Sequence, residues 1–244
     1  MFPYRDDNPT LETPAITYLL IAANVVVWVL VQGMGQDPAL ARSVCELGLI
    51  PGELLGRVVP GTAIPLSPTQ ACVLGVERHW YTPLSSMFLH GGWLHLIGNM
   101  WFLWLFGNNI EDSMGHGRYL AFYLLCGLAA AAGQMLVSPG SVVPMVGASG
   151  AISGVMGAYV VLYPRVRIHM LVFLFIFVTR IVVPAYLMLG YWFLLQLVSG
   201  TASRSEGGVA FWAHVAGFVA GAVLISVFKD RELVGRHRAL ARYA

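Results

Sequence analysis

The sequence predicts an all-α integral membrane protein, a polytopic six-helix transmembrane bundle, on three observations. Of its residues 57% are hydrophobic and only 11% charged, with a mean hydropathy of +0.71, far from the balance of a water-soluble chain. Apolar runs near the ~20 residues needed to cross a hydrocarbon layer of about 30 Å recur along the chain. The main polar residues inside those runs are serine, asparagine and histidine, which lipid tolerates only when they are hydrogen-bonded or face water. The formal net charge is +2 and Lys229 is the single lysine. No polybasic patch exists outside the C-terminal tail, so the lipid bilayer is the expected environment and nucleic acid is not an expected partner.

The opening "MFPYRDDNPTLETP", residues 1–14, is acidic where a signal peptide is basic, and reads as a short cytosolic segment before a retained first span. The six spans run Ala15–Gly33, Leu84–Asn108, Leu120–Val137, Ala148–Tyr163, Ile181–Val198 and Val209–Phe228. They form one membrane domain, residues 15–228, that includes an outer loop at 34–83; residues 229–244 are a basic cytosolic tail. The run from Ile168 to Gly200 is too long for one span, and Arg180 in its middle is costly at the bilayer centre. Arg180 is therefore placed at the interface, with Ile168–Thr179 along the surface or dipping in and out.

Basic residues near the span ends orient the chain. With both termini inside, Arg5, Arg118, Arg165, Arg167, Arg180, Lys229, Arg231, Arg236, Arg238 and Arg242 are cytosolic, leaving Arg42, Arg57, Arg78 and Arg204 outside. A plasma or inner membrane suits this bias. The outer loop carries Cys45 and Cys72. An oxidising compartment permits a disulfide between them, and two unpaired small residues are the other reading.

Depth can be counted from the cytosolic span ends at about 1.5 Å per residue. Ser149 precedes Pro164, and His214 precedes Lys229, by the same fifteen positions, so each lies roughly 22 Å above its boundary. His95 and Asn99 precede Glu111 by sixteen and twelve positions, bracketing that level at about 18 to 24 Å. Four polar side chains thus share one layer, nearer the outer face.

The fourth span is short, and Pro139, Gly140 and Pro144 break the chain before it. Its first turn begins below the membrane surface and presents unpartnered N–H groups at the positive end of the helix dipole. Ser149 there is a hydroxyl beside donors for a developing oxyanion, as acyl transfer through serine requires. His214 is the histidine on a separate parallel span at matching depth, suited to take the serine proton. Such a base must be neutral, so this reading entails loss of activity in acid. Gly150, Gly154 and Ala158 on one span, and Ala213, Gly217 and Gly221 on the other, recur at four-residue spacing. Two small faces allow close backbone contact, which brings the hydroxyl and the imidazole within reach.

"GASG" at Gly147–Gly150, "AHVAGFVAG" at Ala213–Gly221 and "HGGWLHLIGNM" at His90–Met100 resemble the signature motifs of the rhomboid family of intramembrane serine proteases. The resemblance runs from Trp80 to Phe228 and implies a six-span bundle of rhomboid type. It implies Ser149 as nucleophile and His214 as general base, with His95 and Asn99 helping the Ser149 N–H form the oxyanion hole. His90 matches a further histidine of structural role, and Glu111 an acidic residue bracing the cytosolic end of the second span. No metal or cofactor is implied, and the substrates implied are transmembrane proteins. Two positions depart from the family pattern. Tyr81 stands where many relatives carry arginine, and Ser153 where a bulky aromatic often stacks on the catalytic histidine.

Other readings bear on the same residues. Serines in membrane helices commonly mediate packing, the reading taken for Ser153, and Cys126 reads as an inert small apolar residue. His116 and His237 fall at the cytosolic surface and His169 at the interface, without assigned chemistry. A metalloprotease lacks a His-Glu-x-x-His pair, and a transporter would show ionisable pathway residues or repeat symmetry. A catalytically silent rhomboid-like protein that binds transmembrane helices is the alternative to a protease. The fifth span and the loop Gly200–Gly208 are the candidate gate.

Overall fold

The structure, a computed structural model, describes residues 2–68, 70–75, 79–174, 177–202 and 210–240. Arg78, Arg204, Arg242 and residues 203–208 of the candidate gate lie outside them. In chain order the elements are β1 (Phe2–Asp6), α1 (Ala15–Leu30), α2 (Ala39–Leu47), α3 (Pro51–Leu54), β2 (Ala63–Ser67), β3 (Gln70–Val73), α4 (Thr82–Ser85), α5 (Trp93–Asp112), α6 (His116–Val137), α7 (Ser149–Leu162), β4 (Arg167–Leu174), β5 (Phe177–Pro184), α8 (Ala185–Ala202), α9 (Phe211–Phe228) and α10 (Arg231–Leu240). By length and composition α6, α8 and α9 are apolar enough to cross a membrane, and α1 and α7 are shorter apolar helices.

Helix α7 is the centre of the bundle, with ten of its fourteen residues buried, while on α8 only Ala185, Met188 and Leu189 are. The buried core joins Leu103 and Phe106 of α5, Phe122 and Tyr123 of α6, and Val155 and Tyr159 of α7. The small-residue faces meet as backbone contacts. A Cβ on Gly217 would overlap the Gly150 carbonyl, one on Gly221 the Gly154 carbonyl, and one on Gly157 the Phe218 carbonyl. Helix α6 closes the third side, its Cys126 and Ala130 lying where side chains on Gly154 and Gly150 would stand.

Polar contacts cluster at the end of the bundle away from Ser149. The buried Glu111 carboxylate at the foot of α5 accepts from the Ile16 and Thr17 N–H groups, each at 2.8 Å, and from Thr17 Oγ1 at 2.7 Å. It caps the orphan donors of the first turn of α1 with a negative charge and also pairs with His116. Asp112 accepts from the Leu11 N–H at 2.7 Å, and Asn109 Nδ2 donates to the carbonyls of Asn8 and Pro9 at 3.4 and 3.3 Å. The N-terminal segment is thereby strapped across the bundle.

Strands correct the all-α expectation. The described part of Ile168–Thr179, expected along the surface or dipping in and out, belongs to the antiparallel strands β4 and β5, and β1 adds to β4, giving the order β1-β4-β5. Its valine, isoleucine and phenylalanine content favours a pleated surface, and pairing satisfies the backbone groups that an unstructured chain would leave bare. Arg180 lies exposed on β5. His237 is another correction: it is fully buried against the Tyr163 ring, with centroids 4.8 Å apart, because α10 folds back under the bundle. The second span was expected from Leu84, yet its helix starts at Trp93, after the Gly91–Gly92 break and the short turn α4. In the segment 34–83, Cys45 and Cys72 are disulfide-bonded, and Cys72 sits with Ile50 and Leu74 in a small core of its own.

Two outcomes follow for stability. Gly221→Ala forces α7 and α9 apart and is expected to cost about 3 kcal/mol, read as unfolding in detergent, whereas Gly190→Ala, with nothing within 4 Å of its Cβ, leaves stability unchanged; equal effects contradict the packing. In β1, burial is the largest influence on the Asp6 carboxyl and pushes it up to about 6 from 3.8, outweighing the hydrogen bond it accepts from Tyr159, and Asp7 adds to the rise. A carboxyl that ionises later when docked favours the docked strand most below pH 4, and that advantage is lost as pH rises to about 6. Melting temperatures of the wild type and Asp6→Asn between pH 4 and pH 7 should diverge over that window, and parallel curves would contradict it.

Candidate active site

Ser149 opens α7 at its first helical residue, after Ala148 and a Gly147 held at a φ of +128°. That backbone angle suits glycine, and a Cβ there would stand 2.8 Å from His95 Nε2 and 3.5 Å from Ser149 Oγ. The imidazole of His95 thus lies against the chain that delivers Ser149. The Gly147 N–H donates to the Ser86 carbonyl at 2.9 Å, tying this turn to the segment before α5.

His214, on the first turn of α9, places Nε2 2.8 Å from Ser149 Oγ. Its Nδ1 is 2.8 Å from Gln196 Oε1 on α8. The Trp192 ring stands 5.9 Å from the imidazole, inclined at 41°, and packs also on Phe218. Ser153 lacks an aromatic ring and instead donates to the Ser149 carbonyl at 2.6 Å. The aromatic wall beside His214 therefore comes from α8.

The Gly91 N–H donates to His95 Nδ1 at 3.3 Å. A neutral imidazole that accepts at Nδ1 carries its proton on Nε2, here the nitrogen beside Gly147 and Ser149. One turn further along α5, Asn99 is buried and its Nδ2 has no hydrogen-bond partner among the described residues. Two side-chain donors of α5 are thus uncommitted among the described residues.

A cavity of about 620 Å³ contains Ser149, His214 and His95 on its wall, together with Gln134 and Trp212. Its size is that of a ligand pocket. Asn99 and His90 are not on that wall. His90 is fully buried, its ring 5.1 Å from that of His95, and its backbone is clamped by Gln32 through bonds of 2.7 and 2.9 Å. Glu111 is far along α5, in the network that caps α1. Among the described residues no cluster of three or more metal-ligating side chains occurs.

Sequence reasoning missed Gln196 and Trp192 as neighbours of His214. Gln196 was the one amide within the fifth apolar run, a signal open to reading, while Trp192 is one aromatic among several.

Residues 77–231, more than half of the chain, match the Rhomboid domain family. The chain is 29% identical over 213 residues to rhomboid protease GluP of Bacillus subtilis, a match covering 86% of this chain and 35% of that protein. It is 29% identical over 162 residues to RHOMBOID-like protein 5 of Arabidopsis thaliana, covering 62% of this chain and 52% of the relative. A shorter match, 32% over 94 residues, relates it to the mitochondrial rhomboid protein 1 of Saccharomyces cerevisiae, covering 37% of this chain and 27% of that protein. The chain spans between about a quarter and a half of the length of these relatives. With these motifs on one apolar bundle, the chain is an integral multi-pass membrane protein that belongs to the rhomboid family.

Proposed function

We propose that the chain is an intramembrane serine endopeptidase that hydrolyses a peptide bond in or next to a transmembrane segment of another membrane protein. The observation that carries this reading is the 2.8 Å contact between Ser149 Oγ and His214 Nε2, at the start of a helix and on the wall of a cavity. All six long helices, α1 and α5 to α9, cross the bilayer in this reading. Both termini are cytosolic, and the dyad opens towards the outer face. The family, with a relative named as a rhomboid protease, supports it.

Ser149 attacks the scissile carbonyl while His214 Nε2 takes its proton, giving a tetrahedral intermediate. The negative oxygen is held by the Ser149 N–H, by His95 Nε2–H and by Asn99 Nδ2–H. Collapse expels the amine, which receives the proton from His214 and leaves an acyl ester on Ser149. Water, activated by the same imidazole, then frees the acid and the serine. The two histidines need opposite tautomers, His95 donating at Nε2 and His214 accepting there. The bond from the Gly91 N–H to His95 Nδ1 supports the first. His90 serves by packing against His95, and Glu111 by bracing the far end of α5.

The test is cleavage of a fluorogenic single-span substrate by the purified chain in liposomes. Ser149→Ala and His214→Ala should each lower kcat by about 1,000-fold or more, with no effect of a metal chelator. Asn99→Ala should lower kcat by about 10- to 100-fold with little change in KM. Cleavage by Ser149→Ala, or loss on chelation, contradicts the serine mechanism, and a folded wild type that binds but never cuts indicates a silent helix-binding relative.

A further inference from the structure

We infer that Gln196 is a positioning residue, which holds His214 in the tautomer that lets its Nε2 accept the Ser149 proton; this rests on the serine dyad proposed above. The juxtaposition is a line of three groups on three helices. Ser149 Oγ lies 2.8 Å from His214 Nε2, and His214 Nδ1 lies 2.8 Å from Gln196 Oε1. The far end of the amide is also engaged, Gln196 Nε2 donating to the Trp192 carbonyl one turn earlier at 3.4 Å.

That second bond, long at 3.4 Å, favours the end of the amide that faces the imidazole. Rotating the amide by half a turn would set Oε1 against the Trp192 carbonyl, two acceptors without a proton between them. It would also place an NH₂ donor at His214 Nδ1, forcing the ring proton onto Nε2 and leaving no base beside Ser149. In the arrangement observed, an oxygen that only accepts faces Nδ1. The proton must then sit on Nδ1, and the lone pair of Nε2 is left for the hydroxyl.

The same contact fixes the plane of the ring. An imidazole on a lone helical side chain turns about its outer torsion at little cost, and here Gln196 and the Trp192 ring, 5.9 Å from it, restrict that turn from the α8 side. Gln196 is neutral, so it orients the base without adding the negative charge that a carboxylate would bring next to a forming imidazolium. A half-buried glutamine bonded only to satisfy its own amide is the rival explanation, and it predicts no influence on which nitrogen holds the proton.

Two measurements on the full chain separate these explanations. The first is the nitrogen NMR spectrum of ¹⁵N-histidine-labelled protein in lipid nanodiscs near pH 8, with the His214 signals identified by their absence in His214→Ala. The wild type should show a protonated Nδ1 and a bare Nε2, and Gln196→Met, similar in length but without an acceptor oxygen, should shift His214 towards the opposite tautomer. This reading needs no substrate, so it holds whether or not the dyad proves catalytic. The second is kinetic: Gln196→Met should lower kcat by about 10- to 100-fold with little change in KM, and Gln196→Glu, which restores an acceptor oxygen, should recover most of it. An unchanged tautomer in Gln196→Met overturns the inference, as does a loss of rate that appears only in KM or melting temperature. Cleavage by Ser149→Ala would instead sink the dyad itself, leaving the NMR result to judge Gln196.

Discussion

Helices α7 and α9 touch backbone to backbone, and the rest of the site depends on that contact. Lipid offers no hydrophobic gain for pressing one apolar helix on another, so association rests on van der Waals packing and a few polar contacts. Gly150, Gly154 and Gly157 on α7 face Gly217, Phe218 and Gly221 on α9, and a single Cβ at several of these positions would strike a carbonyl. Glycine weakens an isolated helix by roughly 1 kcal/mol per residue. Here that cost is offset by a separation no other residue permits. Ser149 is adjacent to Gly150 and His214 lies one turn before Gly217, so the distance between hydroxyl and imidazole is set by the crossing itself.

The two ends of the bundle divide the work. At one end lie a buried Asn99 Nδ2 without a partner among the described residues, His95 Nε2 beside Gly147, and a cavity between the starts of α7 and α9. At the other end, carboxylates and amides hold the N-terminal segment. Glu111 caps α1, Asp112 and Asn109 hold residues 8 to 12, and Tyr159 donates to Asp6. Buried polar groups are costly unless paired. The paired groups around Glu111 therefore fix helix register at that end, while His95 stands on the cavity wall at the other. Helix α8 belongs to neither arrangement, since its buried residues all lie near its start while Trp192 and Gln196 reach His214 from its middle.

Much of the site was legible because its signals are local or periodic. Gly and Ala at four-residue spacing announced a close helix pair, and counting residues from the span ends placed Ser149 and His214 at one depth; the structure sets them 2.8 Å apart. The sheet was not legible for a physical reason. The run from Arg167 to Pro184 is mostly apolar, broken by His169, Thr179 and Arg180, and such a run without alternation does not distinguish a strand from a buried helix. Its pairing with Phe2–Asp6 joins segments more than 160 residues apart, which no window on the sequence can reveal. His237 was misplaced for the same kind of reason, because the burial of a histidine in a basic tail depends on α10 folding back onto Tyr163. Gln196 was passed over because a single amide in an apolar run carries no periodicity, and its partner is supplied by another helix.

The central claim, that this crossing delivers an activated serine, is tested most directly by covalent labelling rather than by turnover, since no natural substrate is needed. The full chain in liposomes would be treated with a fluorophosphonate probe and the adduct located by peptide mass spectrometry. The account predicts a single phosphonylated serine at Ser149, formed rapidly by the wild type, slowly by Gly221→Ala and not at all by His214→Ala. A label on another serine, or labelling of Ser149 that is indifferent to His214, would contradict it.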